Sequence, residues 1–152
     1  MAVDNLEAAR GFRVTPDDYR LSHTALTVGL TLYEVRHVVI SDLIIQGFQL
    51  DGVNAHDGVY QASLMGLTCR GNGRSGISIG GASRVKIDGC LVGNNGEAQV
   101  RTEGFSRTEI IATELLDSTA PGLVKDGDGG KVTVVKPVER EARLQDAFRI
   151  QR

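Results

Sequence analysis

Aromatic residues are scarce in this 152-residue chain, which has no Trp, four Phe and three Tyr. Those present, such as Phe48, Tyr60 and Phe105, are scattered, so a sugar-binding platform of stacked rings is not expected. The chain also has no large excess of positive or negative charge, because 17 basic residues nearly balance 19 acidic ones and leave a net charge of -2. The chain therefore has no overall basic surface, and neither nucleic acid nor a membrane is predicted as a partner.

Long hydrophobic runs are absent as well. The longest are a few residues, such as residues 38–40, far short of the roughly 20 that cross a bilayer. Residues 1–5 have neither a basic start nor an apolar core, so no secretory signal is predicted. With 41% apolar and 24% charged residues, the composition is that of one globular domain.

Glycine, in contrast, is abundant: the chain has 19, well above the average of about 7%. The excess falls between short apolar segments, four of which superimpose with spacings of 24, 23 and 23 residues. These segments begin at Val38, Ala62, Val85 and Thr108. Within each segment apolar residues alternate, and a gap of two intervening residues, as between Ile40 and Leu43, interrupts the alternation once.

Alternation with period two predicts strands with one buried face, and the interruption predicts a corner between two strands. Such a repeat pairs its backbone only when each coil stacks on the preceding one, which predicts an all-β parallel solenoid of about four coils over residues 37–126. Residues about 23 apart then lie above one another. The main predicted interior column contains Ile40, Leu64, Ile87 and Ile110. A second column, at a turn, contains Asn72, Asn95 and Ser118.

Residues 83–102 resemble a repeat of the right-handed parallel β-helix proteins, the pectate-lyase-like superfamily. Residues 72–79 are similar to the turn and strand that recur in its sugar-acting members. The resemblance implies a right-handed coil, an acidic polysaccharide as partner, and an extracellular or periplasmic location.

The two ends of a solenoid expose unpaired strands unless something covers them. We expect residues 1–36 to form an N-terminal cap and an incomplete first coil. Residues 127–152 are expected to form a last strand and a C-terminal helical cap that begins at Pro137. The alternative is that an open end stacks on a further part of a longer protein or on a second copy in a homo-oligomer.

The two cysteines, Cys69 and Cys90, are predicted to lie one coil and two residues apart. At about 4.8 Å per coil and about 3.3 Å per residue, their Cα atoms are separated by about 8 Å, beyond the usual disulfide limit. Both are therefore expected to be free, buried thiols. They give no indication of the compartment.

Residues 50–60 form an irregular segment containing His56 and Asp57, which could act as a base with an orienting carboxylate. Neighbouring residues of a strand point to opposite faces, which argues against direct pairing and favours a polar turn. A charged groove for acidic polysaccharide is the other catalytic hypothesis, in which an arginine neutralises a uronate during proton abstraction. Its candidate arginines are Arg74, Arg84, Arg101 and Arg107.

Residues 126–130 resemble the start of a calcium loop, although position 137, where an EF-hand needs Glu, is Pro. A surface turn is favoured. A looser oxygen site stays open, because Glu103 precedes Asp126 by 23 residues and Asp128 follows closely. Calcium is the cofactor that this pattern leaves open. The G-x-G-x-x-G pattern of residues 71–76 is followed by a strand pattern, so a dinucleotide site is rejected.

Two functions follow. The favoured one is a non-catalytic β-helical module, either part of a larger extracellular, carbohydrate-associated protein or a self-associating piece, because few coils leave little room for a long groove. The alternative is an enzyme resembling polysaccharide lyases or uronate epimerases, with catalytic residues His56, Asp57, Arg74 and Arg101.

Overall fold

A computed structural model describes residues 25–127 and 130–136. These residues form short strands joined by turns. The strands are β1 (Leu30–Leu32), β2 (Val39–Ser41), β3 (Ile44–Gln46), β4 (Val53–Ala55), β5 (Tyr60–Met65), β6 (Thr68–Arg70), β7 (Ser75–Ile79), β8 (Arg84–Asp88), β9 (Leu91–Gly93), β10 (Ala98–Glu103), β11 (Arg107–Ile111), β12 (Glu114–Leu116), β13 (Leu123–Asp126) and β14 (Lys131–Val135). Within the described residues, no helix is long and apolar enough to cross a membrane.

Successive strands are distributed in turn over three sheets. Sheet A has the order β1-β4-β7-β10-β13, sheet B the order β14-β11-β8-β5-β2, and sheet C the order β12-β9-β6-β3. Every pairing between these strands is parallel. The predicted parallel β-solenoid is confirmed, with about five coils instead of about four.

The interior column predicted from the repeat is also confirmed. Ile40 pairs with Leu64, Leu64 with Ile87 and Ile87 with Ile110 in successive strands of sheet B. The last three side chains are at most 1% exposed. Burying each large aliphatic side chain contributes roughly 1.5–3 kcal/mol, so this stack is a main source of stability.

The predicted corner lies between sheets B and C, where two residues join each pair of strands. The first of the two has a positive φ in all four coils. These residues are Asp42 (φ 58°), Gly66 (φ 61°), Gly89 (φ 63°) and Ala112 (φ 44°). A left-handed residue at each corner turns the chain sharply and explains why the alternation is interrupted there.

The asparagine column is confirmed between its first two members. Asn72 Nδ2 donates a hydrogen bond to Asn95 Oδ1 at 2.9 Å. Asn95 Nδ2 donates to Gln99 Oε1 at 2.8 Å, and Gln99 Nε2 donates to the Ala120 carbonyl at 3.0 Å. Ser118 was expected to continue the column but is exposed, and Gln99 takes that place because its longer side chain reaches Asn95.

Both cysteines are free and buried, as predicted. Burial raises the pKa of Cys69 to about 12, and the nearby Cys90 adds to the shift. Burial also raises the pKa of Cys90, while backbone hydrogen bonds oppose the shift. The two thiols are therefore inert, uncharged parts of the core.

The predicted ends are described in part. The first coil contains the short strand β1, and β14 confirms the predicted last strand. The proposed N-terminal cap before residue 25 and the proposed helix from Pro137 lie outside the described residues.

Candidate functional site

The outer face of sheet A holds the first of the predicted catalytic arginines, Arg74, in an ion pair. Arg74 Nε donates to Asp51 Oδ1 at 3.0 Å, and Arg74 Nη2 contacts the other carboxylate oxygen. The Asp51 side chain is fully buried, whereas that of Arg74 is 31% exposed. The hydrogen bond to Asp51 raises the pKa of Arg74 above its usual value, although burial opposes the shift. Arg74 is thus the counterion of a buried carboxylate.

Arg101, on the same face, is held between two carboxylates. Arg101 Nη1 donates to Asp126 Oδ2 at 2.5 Å, and Arg101 Nη2 donates to Glu97 Oε2 at 2.8 Å. Only 18% of the Arg101 side chain is exposed. Its positive charge is therefore compensated within the protein, as that of Arg74 is.

His56 and Asp57 lie in the turn between β4 and β5. Their side chains are half exposed, and His56 Nε2 lies 3.5 Å from Asp57 Oδ2. The favoured polar turn is confirmed, because Asp57 (φ 48°) and Gly58 (φ 66°) both have a left-handed backbone. The argument against pairing assumed the alternation of a strand, which does not hold in a turn. In the described residues no hydrogen bond or ion pair joins this pair to Arg74 or Arg101.

Glu103 approaches His56 from two coils further along the solenoid. A Cβ atom placed on Gly80, which lies between them, would be 2.7 Å from Glu103 Oε1 and 3.2 Å from His56 Nδ1. The absence of a side chain at Gly80 therefore lets both groups approach the same point. The arrangement is open to solvent on the His56 side.

The predicted adjacency of Glu103 and Asp126 is confirmed by the register of β10 and β13. The Asp126 carboxylate, however, already accepts a hydrogen bond from Arg101. Asp128 lies outside the described residues, and the described part of the chain contains no group of three or more side chains suited to hold a metal ion. The calcium site stays a prediction.

The outer face of sheet B differs, because it carries a groove of about 590 Å³ lined by basic residues. The register of β8, β11 and β14 places Arg84, Arg107 and Lys131 beside one another in three successive coils. We call these three residues the basic column. All three are exposed, and no carboxylate of the described residues lies within 4.0 Å of their charged groups.

Tyr60 extends this line toward the start of the chain. It pairs with Arg84 on one side and with Arg36 on the other. The guanidinium carbon of Arg84 lies 4.4 Å from the centre of the Tyr60 ring, and that of Arg36 lies 5.5 Å from it. Stacking on a ring occupies the face of a guanidinium and leaves the N–H groups at its edge free to donate.

A second line of residues runs along the groove two positions further along each strand. Lys86 lies between Ser63 and Glu109, and Thr133 follows. Lys86 Nζ forms its ion pair with Asp88 at 3.2 Å. One side of the groove is thus the basic column, and the other carries two hydroxyl groups, the Glu109 carboxylate and Lys86, whose charge is paired with Asp88.

The sequence predicted Arg84 and Arg107 as groove residues but grouped them with Arg74 and Arg101, which lie on another face. Lys131, Tyr60 and Arg36 were missed. The signal that identifies them is the spacing of 23 or 24 residues that connects each with the next.

Comparisons of the chain with protein-family models, with curated proteins and with solved structures find no match. The function is therefore inferred from the geometry and charge of the site.

Proposed function

We propose that this chain is a non-catalytic β-solenoid module that binds acidic polysaccharide along the outer face of sheet B. The observation that carries the proposal is the basic column, in which three exposed cations of successive coils lack a carboxylate partner among the described residues. An anionic polymer lying in the groove would supply those partners.

The basic column is unfavourable for the protein alone. Neighbouring strands are about 4.8 Å apart, and like charges directly opposite one another on adjacent strands destabilise a sheet. Arg84, Arg107 and Lys131 repeat this arrangement twice in succession. Such repulsion is expected where a ligand of opposite charge compensates it, because electrostatic complementarity then favours both encounter and specificity.

Other features of the groove favour a sugar polymer among polyanions. Gln61, Ser63 and Thr133 line it with amide and hydroxyl groups, which can form hydrogen bonds with sugar hydroxyls. The resemblance of residues 83–102 to repeats of the pectate-lyase-like superfamily supports the same ligand class, and with it a right-handed coil and an extracellular or periplasmic location.

The alternative is a lyase or uronate epimerase. It requires a cation free to neutralise a substrate carboxylate. Of the candidate arginines, Arg74 and Arg101 hold protein carboxylates. Arg84 and Arg107 are free of such partners in the described part of the chain, but the candidate base His56 and its neighbour Asp57 are not among the described residues that line their groove. This separation of the candidate base from the free cations favours the non-catalytic module.

The test is calorimetric titration with a hexamer of a 1,4-linked uronic acid, in the presence and absence of calcium. Arg107→Glu is expected to weaken binding by about tenfold or more, a change of about 1.4 kcal/mol or more. Arg70→Glu is the matched control, because Arg70 is an exposed arginine whose Nε donates to Gln46 Oε1 on sheet C. Equal losses of affinity in Arg107→Glu and Arg70→Glu, or no binding of the hexamer by the wild type, would contradict the proposal.

Three further measurements separate the other hypotheses. Ultraviolet absorbance of unsaturated products would favour the lyase. Tighter binding of single-stranded DNA than of the uronate would contradict the choice of polysaccharide. A mass that rises with protein concentration, without ligand binding, would favour a self-associating piece.

A further inference from the structure

We infer that Asn72 and Asn95 are deamidation sites that react only when the asparagine column opens, so that opening of the solenoid becomes irreversible. Each is followed by glycine, Gly73 and Gly96 respectively, and these are the two Asn-Gly pairs of the sequence. An Asn-Gly pair deamidates readily in an unconstrained chain, because glycine has no side chain to obstruct attack of its backbone nitrogen on the preceding amide. The folded protein keeps both pairs out of this reaction.

The reaction needs a free backbone nitrogen and a mobile side-chain amide. The glycine nitrogen loses its proton and attacks Cγ of the asparagine, a C–N bond forms, and the bond between Cγ and Nδ2 breaks as ammonia leaves. Water then opens the resulting cyclic succinimide at either of its carbonyl groups. Opening at one carbonyl gives aspartate, and opening at the other gives isoaspartate, in which the backbone runs through the former side chain.

The fold holds the two glycine nitrogens. Gly73 N donates to the Phe48 carbonyl at 2.8 Å, and Gly96 N donates to the Asn72 carbonyl at 2.9 Å. A backbone N–H that is hydrogen-bonded within the protein gives up its proton to solvent only when that bond opens. The attacking nitrogen is therefore available only when one coil separates from the next.

The fold holds the side-chain amides as well. Asn72 is 2% exposed and Asn95 is 1% exposed. Asn95 Nδ2 donates to Gln99 Oε1 at 2.8 Å, and it also faces the carbonyl oxygens of Cys69 at 3.2 Å and Gly93 at 3.1 Å. Asn72 Nδ2 donates to Asn95 Oδ1 at 2.9 Å. Rotation of either amide toward the following glycine breaks these buried hydrogen bonds, which is unfavourable without replacement partners.

Close packing of the coils explains why each asparagine is followed by glycine. A Cβ atom on Gly73 would overlap the Gln49 carbonyl oxygen, and one on Gly96 would overlap the Gly73 carbonyl oxygen. Stacked coils thus approach too closely for a side chain at either position. Coil packing imposes the reactive pair, and the hydrogen bonds of the column keep it unreactive.

Reaction at Asn95 prevents the column from forming again. Aspartate there would place a carboxylate against Gln99 Oε1 and two backbone carbonyls. Gln99 could offer its own N–H group only by leaving the Ala120 carbonyl, to which it donates at 3.0 Å. A buried charge that faces acceptors is strongly unfavourable. Isoaspartate lengthens the backbone and displaces the next coil, so neither product restores the solenoid.

The first experiment measures deamidation by peptide mapping with mass spectrometry, in native buffer and in urea at the same mildly alkaline pH. Asn72 and Asn95 are expected to react about 100-fold or more slower in native buffer, because only the opened fraction of molecules reacts. Gln99→Ala removes an acceptor of Asn95 Nδ2 and should accelerate reaction at Asn95 about tenfold or more in native buffer. Gln46→Ala, the matched change at an exposed glutamine of sheet C, should not.

The second experiment tests irreversibility with Asn95→Asp. This variant should lose the cooperative urea transition of the wild type, whereas Asn94→Asp, the matched change at the exposed neighbouring residue, should retain it. Equal reaction rates in native buffer and urea would overturn the inference, as would a wild-type transition in Asn95→Asp. If Gln99→Ala does not fold, a urea series on the wild type decides, because the rates at both sites must then follow the opened fraction.

Discussion

Sheets A and B present the same kind of outer surface, parallel strands crossed by columns of charged residues, but they compensate charge in opposite ways. On sheet A, Arg74 faces Asp51, and Arg101 lies between Glu97 and Asp126. On sheet B, the basic column faces no carboxylate of the described residues. Sheet A therefore uses its arginines for stability, whereas sheet B leaves the three cations of the basic column available for a ligand.

The largest expected effect distinguishes Arg74 from Arg84. Arg74→Ala leaves the Asp51 carboxylate buried without its counterion, and removal of one partner of a buried pair is strongly destabilising. We expect the free energy of unfolding to fall by about 3 kcal/mol, measured by urea denaturation. Arg84→Ala, the matched change on sheet B, should alter it by at most about 0.5 kcal/mol.

Equal decreases in the free energy of unfolding in Arg74→Ala and Arg84→Ala would contradict the distinction between sheets A and B. Arg74→Lys provides a further control, because Lys keeps the charge but lacks the planar group that donates two hydrogen bonds to Asp51. Its stability should lie between those of wild type and Arg74→Ala.

The next effect concerns the core that both faces share. Cys69 keeps its proton in the folded state up to about pH 12, whereas its ordinary pKa is 9.0. A group whose folded pKa is raised contributes stability that is complete below pH 9.0 and declines as pH rises toward 12. Cys69 should therefore make the protein about 1.4 kcal/mol less stable at pH 10 than at pH 7.

Cys69→Val isolates this contribution, since the next residue in the same interior column is Val92. Urea denaturation at pH 7 and pH 10 should show a smaller decrease in the free energy of unfolding in Cys69→Val than in wild type. In Arg84→Ala the decrease should be as large as in wild type. An equally large decrease in Cys69→Val would show that groups on the outer faces, and not the core thiol, cause it.

A smaller effect is expected for Arg101, the second arginine of sheet A. Arg101→Ala leaves Glu97 and Asp126 without the cation between them, but both carboxylates are partly exposed and solvent screens their repulsion. We expect a loss of about 1 kcal/mol in the free energy of unfolding, reduced in 1 M salt. A decrease in the free energy of unfolding as large as that in Arg74→Ala would show that burial of the carboxylate does not determine how much each ion pair contributes.

Much of the fold follows from the sequence because its signals are periodic. The spacing of 23 or 24 residues predicts the interior columns, and it also connects Asp51 with Arg74, a pair that the spacing could have revealed. The Tyr60 stack was harder to find. An extra residue at Gln61, with a φ of 55°, shifts the register between Tyr60 and Ala62, so a single period cannot align both ends of β5.

The approach of His56 to Asp57 could not be predicted for a different reason. It depends on the left-handed backbone of Asp57, and a sequence that favours a polar turn does not specify the φ of each residue in it. The composition likewise does not reveal the unpaired cations of sheet B. The net charge of -2 is a sum over the whole chain and does not distinguish a face with paired charges from one with unpaired charges.

The smallest effect is the most direct test of the basic column. Arg107 is the middle cation, so Arg107→Gln removes repulsion with both Arg84 and Lys131 while keeping a side chain of similar length. Relief of like-charge contacts should raise the free energy of unfolding by about 0.3 kcal/mol at low salt, and the gain should vanish in 1 M salt. The same substitution should weaken uronate binding, so stability and binding change in opposite directions. Loss of stability in Arg107→Gln would mean that the cation has a partner within the protein, and sheet B would then resemble sheet A.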